Sequence, residues 1–164
     1  MGVYFNPSNA SFRQAKNSRI YVDKTMLIEY LNDRLSTEDK CLAVSHARRF
    51  GKSHAAGMID AYYSLGCDST ELFDGTKISE SADYKKYMNK YNVIHLDISS
   101  FWDFHKKDLI ESIKERVYDD FKEIYAESLN YNKDIHVLLN EIYHKTTTPF
   151  CLLYTSPSPR DVEE

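Results

Sequence analysis

The stretch from Cys41 to Tyr63, CLAVSHARRFGKSHAAGMIDAYY, constrains this chain more than any other. Cys41–Val44 is a short apolar run, bounded by charge on one side and by Arg48-Arg49-Phe50-Gly51 on the other, and it reads as a buried strand. Ala55, Met58, Ile59 and Tyr62 then recur at helical spacing, so the order is strand, loop, helix. A loop that enters a helix N-terminus favours anions, because unpaired backbone N–H groups and the positive end of the helix dipole both face it. Gly51-Lys52-Ser53 supplies the end of a phosphate-loop pattern. In that pattern the Gly lets the backbone approach the phosphates, the Lys reaches the β and γ phosphates, and the Ser hydroxyl holds Mg2+. His46 stands where the pattern opens on Gly, with Ala47 after it. On pattern alone the competing reading is a surface loop whose Arg48, Arg49 and Lys52 are solvated charges. Arg48 and Arg49 either add positive charge of the kind that pairs two-pronged with phosphate oxygens or cover the loop from outside.

The flanking chain alternates strand and helix signals. The first twenty residues, with Asn6-Pro7-Ser8-Asn9, read as a loop or arm. Asp23 is a plausible N-cap for a helix burying Met26, Leu27, Tyr30 and Leu31. Gly66 closes the helix that follows the loop, and Asp74-Gly75 marks a turn. The run from Asp83 to Tyr91 reads as a short polar helix, and Val93 to Ile98 as a second apolar strand. From Asp108 to Leu129, Ile110, Ile113, Val117, Phe121 and Ile124 repeat every three or four residues on a charged background, which predicts a long amphipathic helix over one sheet face. Ile135, Leu138, Leu139 and Ile142 mark another helix. Alternating strands and helices imply an α/β layered domain with a mainly parallel sheet.

Composition narrows the partners. A formal net charge of −4 supplies no bulk field to hold a nucleic-acid backbone, so any such contact would need a local patch, and whether nucleic acid is a partner stays open. Cys41, Cys67 and Cys151 include no C-x-x-C pair, which fits a reducing compartment and argues against a disulfide framework or a zinc site. The six histidines show no metal-ligand spacing. Without a long uncharged apolar run or a basic-then-apolar start, the expectation is a soluble cytoplasmic protein with no membrane partner.

Four stretches together, YVDKT at Tyr21 to Thr25, RRFGKS at Arg48 to Ser53, AYYSLGCDSTELFDGTKI at Ala61 to Ile78 and YNVIHLDIS at Tyr91 to Ser99, resemble the AAA-ATPase-like family of bacterial proteins. The resemblance runs from about Val3 to Phe150 in order and spacing. It implies a P-loop NTPase-type three-layer domain over residues 1–150, with ATP and Mg2+ as cofactors and, in many members, a PD-(D/E)xK nuclease-like domain downstream. The family's loop is a variant lacking the first Gly, so the resemblance implies binding roles for Arg48, Arg49, Phe50, Gly51, Lys52 and Ser53. Lys52 would be the catalytic cation and Ser53 the metal ligand. His46 and Ala47 depart from the family's usual Arg and Pro, which removes a charge and frees a backbone dihedral. The YVDKT stretch has two readings, a lining for the base side of the nucleotide or an N-capped helix start.

Hydrolysis also calls for a carboxylate near the metal and a group that positions the attacking water. Asp97 ends the strand VIHLD, but no second acid follows it, and the resemblance places the acidic strand later, after the helix that ends near YHKTTTPF. Asp97 is therefore expected to be a strand-end residue near the site or a cap. From Cys151 to Asp161 the chain reads CLLYTSPSPRD, which resembles the in-frame translation of a transposase-library sequencing adapter. The expectation is that residues 151–164 are an adapter-derived tail and that the domain is truncated before its acidic strand. Phe150 to Tyr154 is nevertheless strand-like and suits the vacant sheet position. The functional expectation is ATP binding, with Mg-dependent hydrolysis coupled to a downstream domain in a complete protein and little activity here. The alternative is a nucleotide-dependent interaction module or switch without turnover.

Overall fold

The structure, a computed structural model, describes residues 2–45, 50–101, 109–126, 129–131 and 133–155, apart from the side chain of Ser99. The described elements are α1 (Ala10–Lys16), α2 (Met26–Asn32), α3 (Lys52–Tyr63), α4 (Thr70–Phe73), β1 (Asn92–Asp97), α5 (Leu109–Tyr125), α6 (Ile135–Thr146) and β2 (Phe150–Thr155), with short 3-10 helices at Lys77–Glu80 and Ile98–Phe101. β1 and β2 pair in parallel, from Asn92 opposite Phe150 to Asp97 opposite Thr155. The alternation expected of a strand sorts their side chains to two faces. Val93, Cys151 and Leu153 pack with Phe12, Ile28, Tyr62, Tyr63 and Phe73, while Ile94, Leu96 and Phe150 pack with Phe5, Val117, Phe121, Leu138 and Ile142. A parallel pair covered on both faces needs apolar residues at successive positions, and the apolar run from Val93 and the strand-like FCLLY meet that need. The chain is thus α/β, with a parallel two-stranded sheet among the described residues.

The N-terminal arm closes the other edge of β1. Asn6 N donates to Val93 O at 2.7 Å and His95 N donates to Tyr4 O at 2.8 Å. Asn6 sits at φ 47, and its side-chain carbonyl accepts Val93 N at 2.8 Å while its amide donates to Asn92 Oδ1 at 3.1 Å. The amides of Tyr4 and Phe5 both donate to the Asp120 carboxylate, at 2.6 and 2.9 Å, which ties the arm to α5. Sequence reading treats the first twenty residues as a loop or arm; it misses this edge pairing, whose partners lie more than eighty residues away, and it misses the helix α1 at Ala10–Lys16.

Four expectations are corrected. Cys41–Val44 is not a buried strand: it pairs with no strand, it is exposed, and Val44 keeps 64% of its accessibility. A buried parallel strand needs a ladder partner and cover on both faces. The free edge of β1 is taken by Tyr4–Asn6, and among the described residues no strand stands beyond β2 to receive it. Asp23 is not the cap of α2. One of its carboxylate oxygens accepts Thr25 N at 2.8 Å and Thr25 Oγ1 at 2.7 Å, and the other accepts Lys77 N at 2.9 Å, so it pins a turn to the 3-10 helix instead. α2 turns Ile28 and Asn32 inward and leaves Met26 and Tyr30 exposed, because Asn32 is held by two core tyrosines. Its amide donates to Tyr62 Oη at 3.2 Å and its carbonyl accepts Tyr63 Oη at 2.6 Å. Asp83 to Tyr91 forms successive turns rather than a helix, with Asn89 at φ 55 and Tyr84 and Met88 buried.

Helix bounds hold with smaller differences. α3 ends at Tyr63, and Gly66 at φ 89 serves the turn beyond it rather than the cap itself. Asp108 lies outside the described residues, α5 ends at Tyr125 short of the expected Leu129, and its inward stripe is Ile113, Val117 and Phe121, with Ile110 and Ile124 exposed.

Candidate functional site

Gly51 is the N-cap of α3 and sits at φ 83, in the left-handed region that side chains with a Cβ resist. A Cβ there would come within 3.0 Å of the Lys24 ammonium, the far end of a flexible side chain that can give way, so it is the turn that favours Gly. The helical ladder opens with Ala55 N donating to Gly51 O at 3.0 Å, which leaves the N–H groups of Lys52, Ser53 and His54 outside it. Those groups and the helix dipole form the anion-favouring end that the motif predicts. Lys52 is half-buried, and Ser53 and Phe50 are exposed. His46, Ala47, Arg48 and Arg49 lie outside the described residues.

Ser53 lines a cavity of about 450 Å3 that also takes in Ser11, Asp60, His95, Asp97 and Thr155. Asp97 and Thr155 end β1 and β2, so the cavity opens at the carboxyl ends of the parallel strands beside the first turn of α3, where α/β sheets characteristically bind ligands. α1 approaches α3 closely at Gly57, where a Cβ would meet Ser11 Oγ at 2.7 Å. Asp97 thus reaches the same cavity as Ser53, although no second acid stands beside it in the strand.

Two residues that the sequence did not single out meet here. His95 Nδ1 and Asp60 Oδ2 are 2.6 Å apart, with the Asp60 side chain only 6% exposed. Asp60 Oδ1 and His95 Nε2 are buried and without a partner. Burial pushes the Asp60 carboxyl above the usual carboxylate range, against the opposing hydrogen bond and attraction of His95. Burial works to lower His95, but the hydrogen bond and attraction of Asp60, with Asp97 adding to them, raise it above its ordinary value. As a unit the pair holds a proton more tightly than the separated groups would. A signal existed in the sequence. Asp60 lies seven residues after Ser53, two turns along one helix face, and His95 lies two before Asp97 on one strand face.

The sign of the linkage follows from these shifts. Both folded values lie above the unfolded ones, so the Asp60 contribution falls as pH rises past about 4, and the His95 contribution is lost as pH rises past about 6.5 through its raised value. Asp60→Asn removes the attraction and leaves burial to lower His95. That variant is expected to lose the decline above about pH 6.5 that is expected of the parent. Urea unfolding across that range checks it, and parallel curves for the two proteins would refute it.

Among the described residues, no helix is long and apolar enough to cross a membrane, and no group of three or more His, Cys, Asp or Glu is placed to hold a metal ion. A family model described as Predicted AAA-ATPase matches residues 10–154. No curated protein and no solved structure matches the chain.

Proposed function

Because the chain belongs to the AAA-ATPase-like family, we propose that it binds ATP with Mg2+ at the N-terminus of α3. The observation that carries this reading is the left-handed Gly51 cap, which opens the first turn of α3 beside the cavity lined by Ser53. The residues present fit the ligand: unladdered amides and the Lys52 ammonium suit phosphate oxygens, and the Ser53 hydroxyl suits a hard divalent cation. In this reading Lys52 pairs the β and γ phosphates, Ser53 holds the metal, and Arg48, Arg49 and Phe50 complete the loop. When bound, Mg2+ would supply charge that neutralises the phosphates. The P-loop three-layer assignment of the domain belongs to the same proposal.

Hydrolysis of the β–γ bond, coupled to a downstream nuclease-like domain, is the fuller form of this function. The alternative is a nucleotide-dependent switch without turnover. β2 ends on Thr155 at the cavity, so the carboxylates that line it are those of Asp60 and Asp97. Equilibrium titration with ATP, with and without Mg2+, tests binding; saturable binding tightened by Mg2+ is expected, and none at millimolar ATP would reject the proposal. Phosphate release from Mg-ATP then separates the two forms, because a switch binds without releasing it.

A further inference from the structure

The YVDKT stretch touches the phosphate loop directly. Lys24 Nζ donates to the Phe50 carbonyl at 2.6 Å, and it stands at the Gly51 Cα from which a Cβ would project. The backbone that carries Lys24 is anchored on both sides. Tyr21 packs edge-on against Phe12 with ring centroids 6.2 Å apart, and Asp23 holds the amide of Lys77. Thr25, fully buried, donates its hydroxyl to Asp23 and accepts Ile78 N at 3.1 Å. Lys24 is the exposed residue between two pinned ones.

An exposed lysine held on a backbone carbonyl at the mouth of an anion-favouring turn is poised to exchange partners. An ammonium has three donors, and one is engaged here among the described residues. A phosphate oxygen at the first turn of α3 is a charged acceptor, and charge-assisted hydrogen bonds are roughly twice as strong as those to a neutral carbonyl. We propose that Lys24 is a second phosphate-contacting lysine of this site, delivered by the YVDKT turn, and that it favours the nucleotide with more phosphate charge. The proposal rests on the ATP-binding reading above. It replaces the capped-helix reading of YVDKT, since Asp23 does not cap α2, and it gives the stretch a phosphate contact where the other reading gave it the base side.

The test uses the full chain, with Kd for Mg-ATP and Mg-ADP measured by calorimetry for the parent, Lys24→Met and Lys24→Arg. Met keeps the stem length and removes the charge. The expected result for Lys24→Met is about a tenfold loss of ATP affinity at low salt, a smaller loss for ADP, and a gap from the parent that narrows as salt rises, while Lys24→Arg stays close to the parent. Equal losses for ATP and ADP with no salt dependence would show that Lys24 only steadies the Phe50 carbonyl, and would overturn the proposal. Unchanged affinities would overturn it as well. If the parent itself binds neither nucleotide, the ATP-binding reading fails first and this one with it. Because Lys24 is exposed, thermal unfolding of Lys24→Met is expected to match the parent, which separates lost binding from lost folding.

Discussion

Lys52→Ala is expected to weaken ATP binding by about a hundredfold or more while leaving the fold intact. A hydrogen bond to a charged group contributes about 1.5–3 kcal/mol, and a lysine bridging two phosphates stands to lose about 3 kcal/mol, which is roughly two powers of ten in Kd. The fold should survive because Lys52 is the first residue of α3, only half-buried, and Ala is the best helix former. Calorimetric titration of parent and variant with Mg-ATP reads the effect, and circular dichroism confirms the helix. Binding unchanged in a folded variant would place the nucleotide elsewhere and remove the phosphate-loop reading. Ser53→Ala is expected to differ in kind, since it should erase the dependence on Mg2+ more than the affinity for ATP alone.

The second large effect is on stability. Phe121 is fully buried at the centre of the cluster formed by α5, α6 and the N-terminal arm, with its ring edge-on to Phe5 at a centroid distance of 4.9 Å. Phe121→Ala is expected to cost about 4 kcal/mol, combining lost transfer energy, an unfilled cavity and the aromatic pair. For a domain of this length that is a fall in Tm of about 8–16 °C. Ile110→Ala, on the same helix and in the same sequence repeat, is expected to change stability by less than about 0.5 kcal/mol, because Ile110 remains 62% exposed. Thermal unfolding of the two variants side by side decides the matter. Similar losses for both would mean that α5 packs along the whole predicted stripe.

That contrast shows how far periodicity reaches. The repeat from Ile110 to Ile124 announced α5 correctly, but only tertiary packing determined that the buried part runs from Ile113 to Phe121. In α2 the same signal pointed inward at Met26 and Tyr30. Helix registry was instead decided by a polar residue, Asn32, whose amide satisfies the hydroxyls of Tyr62 and Tyr63 from another helix. A buried polar match between residues thirty positions apart leaves no trace in a local hydrophobic pattern.

By itself, the amino-acid sequence determined the features that local chemistry dictates. These are the α/β alternation, the strands at Asn92–Asp97 and Phe150–Thr155, and the Gly-Lys-Ser turn at the head of α3, where φ 83 favours Gly. Tertiary structure alone decided whatever depended on a distant partner. The N-terminal arm became the edge of the sheet because Asn6 and Asp120 supply hydrogen bonds that a loop would lack. Cys41–Val44, apolar enough for a strand, stayed outside the sheet because a strand exists only with a ladder to join. The Asp60–His95 pair and the contact of Lys24 with Phe50 arose the same way, since charge and hydrogen-bonding capacity are written in sequence but the approach that couples them is made only by packing.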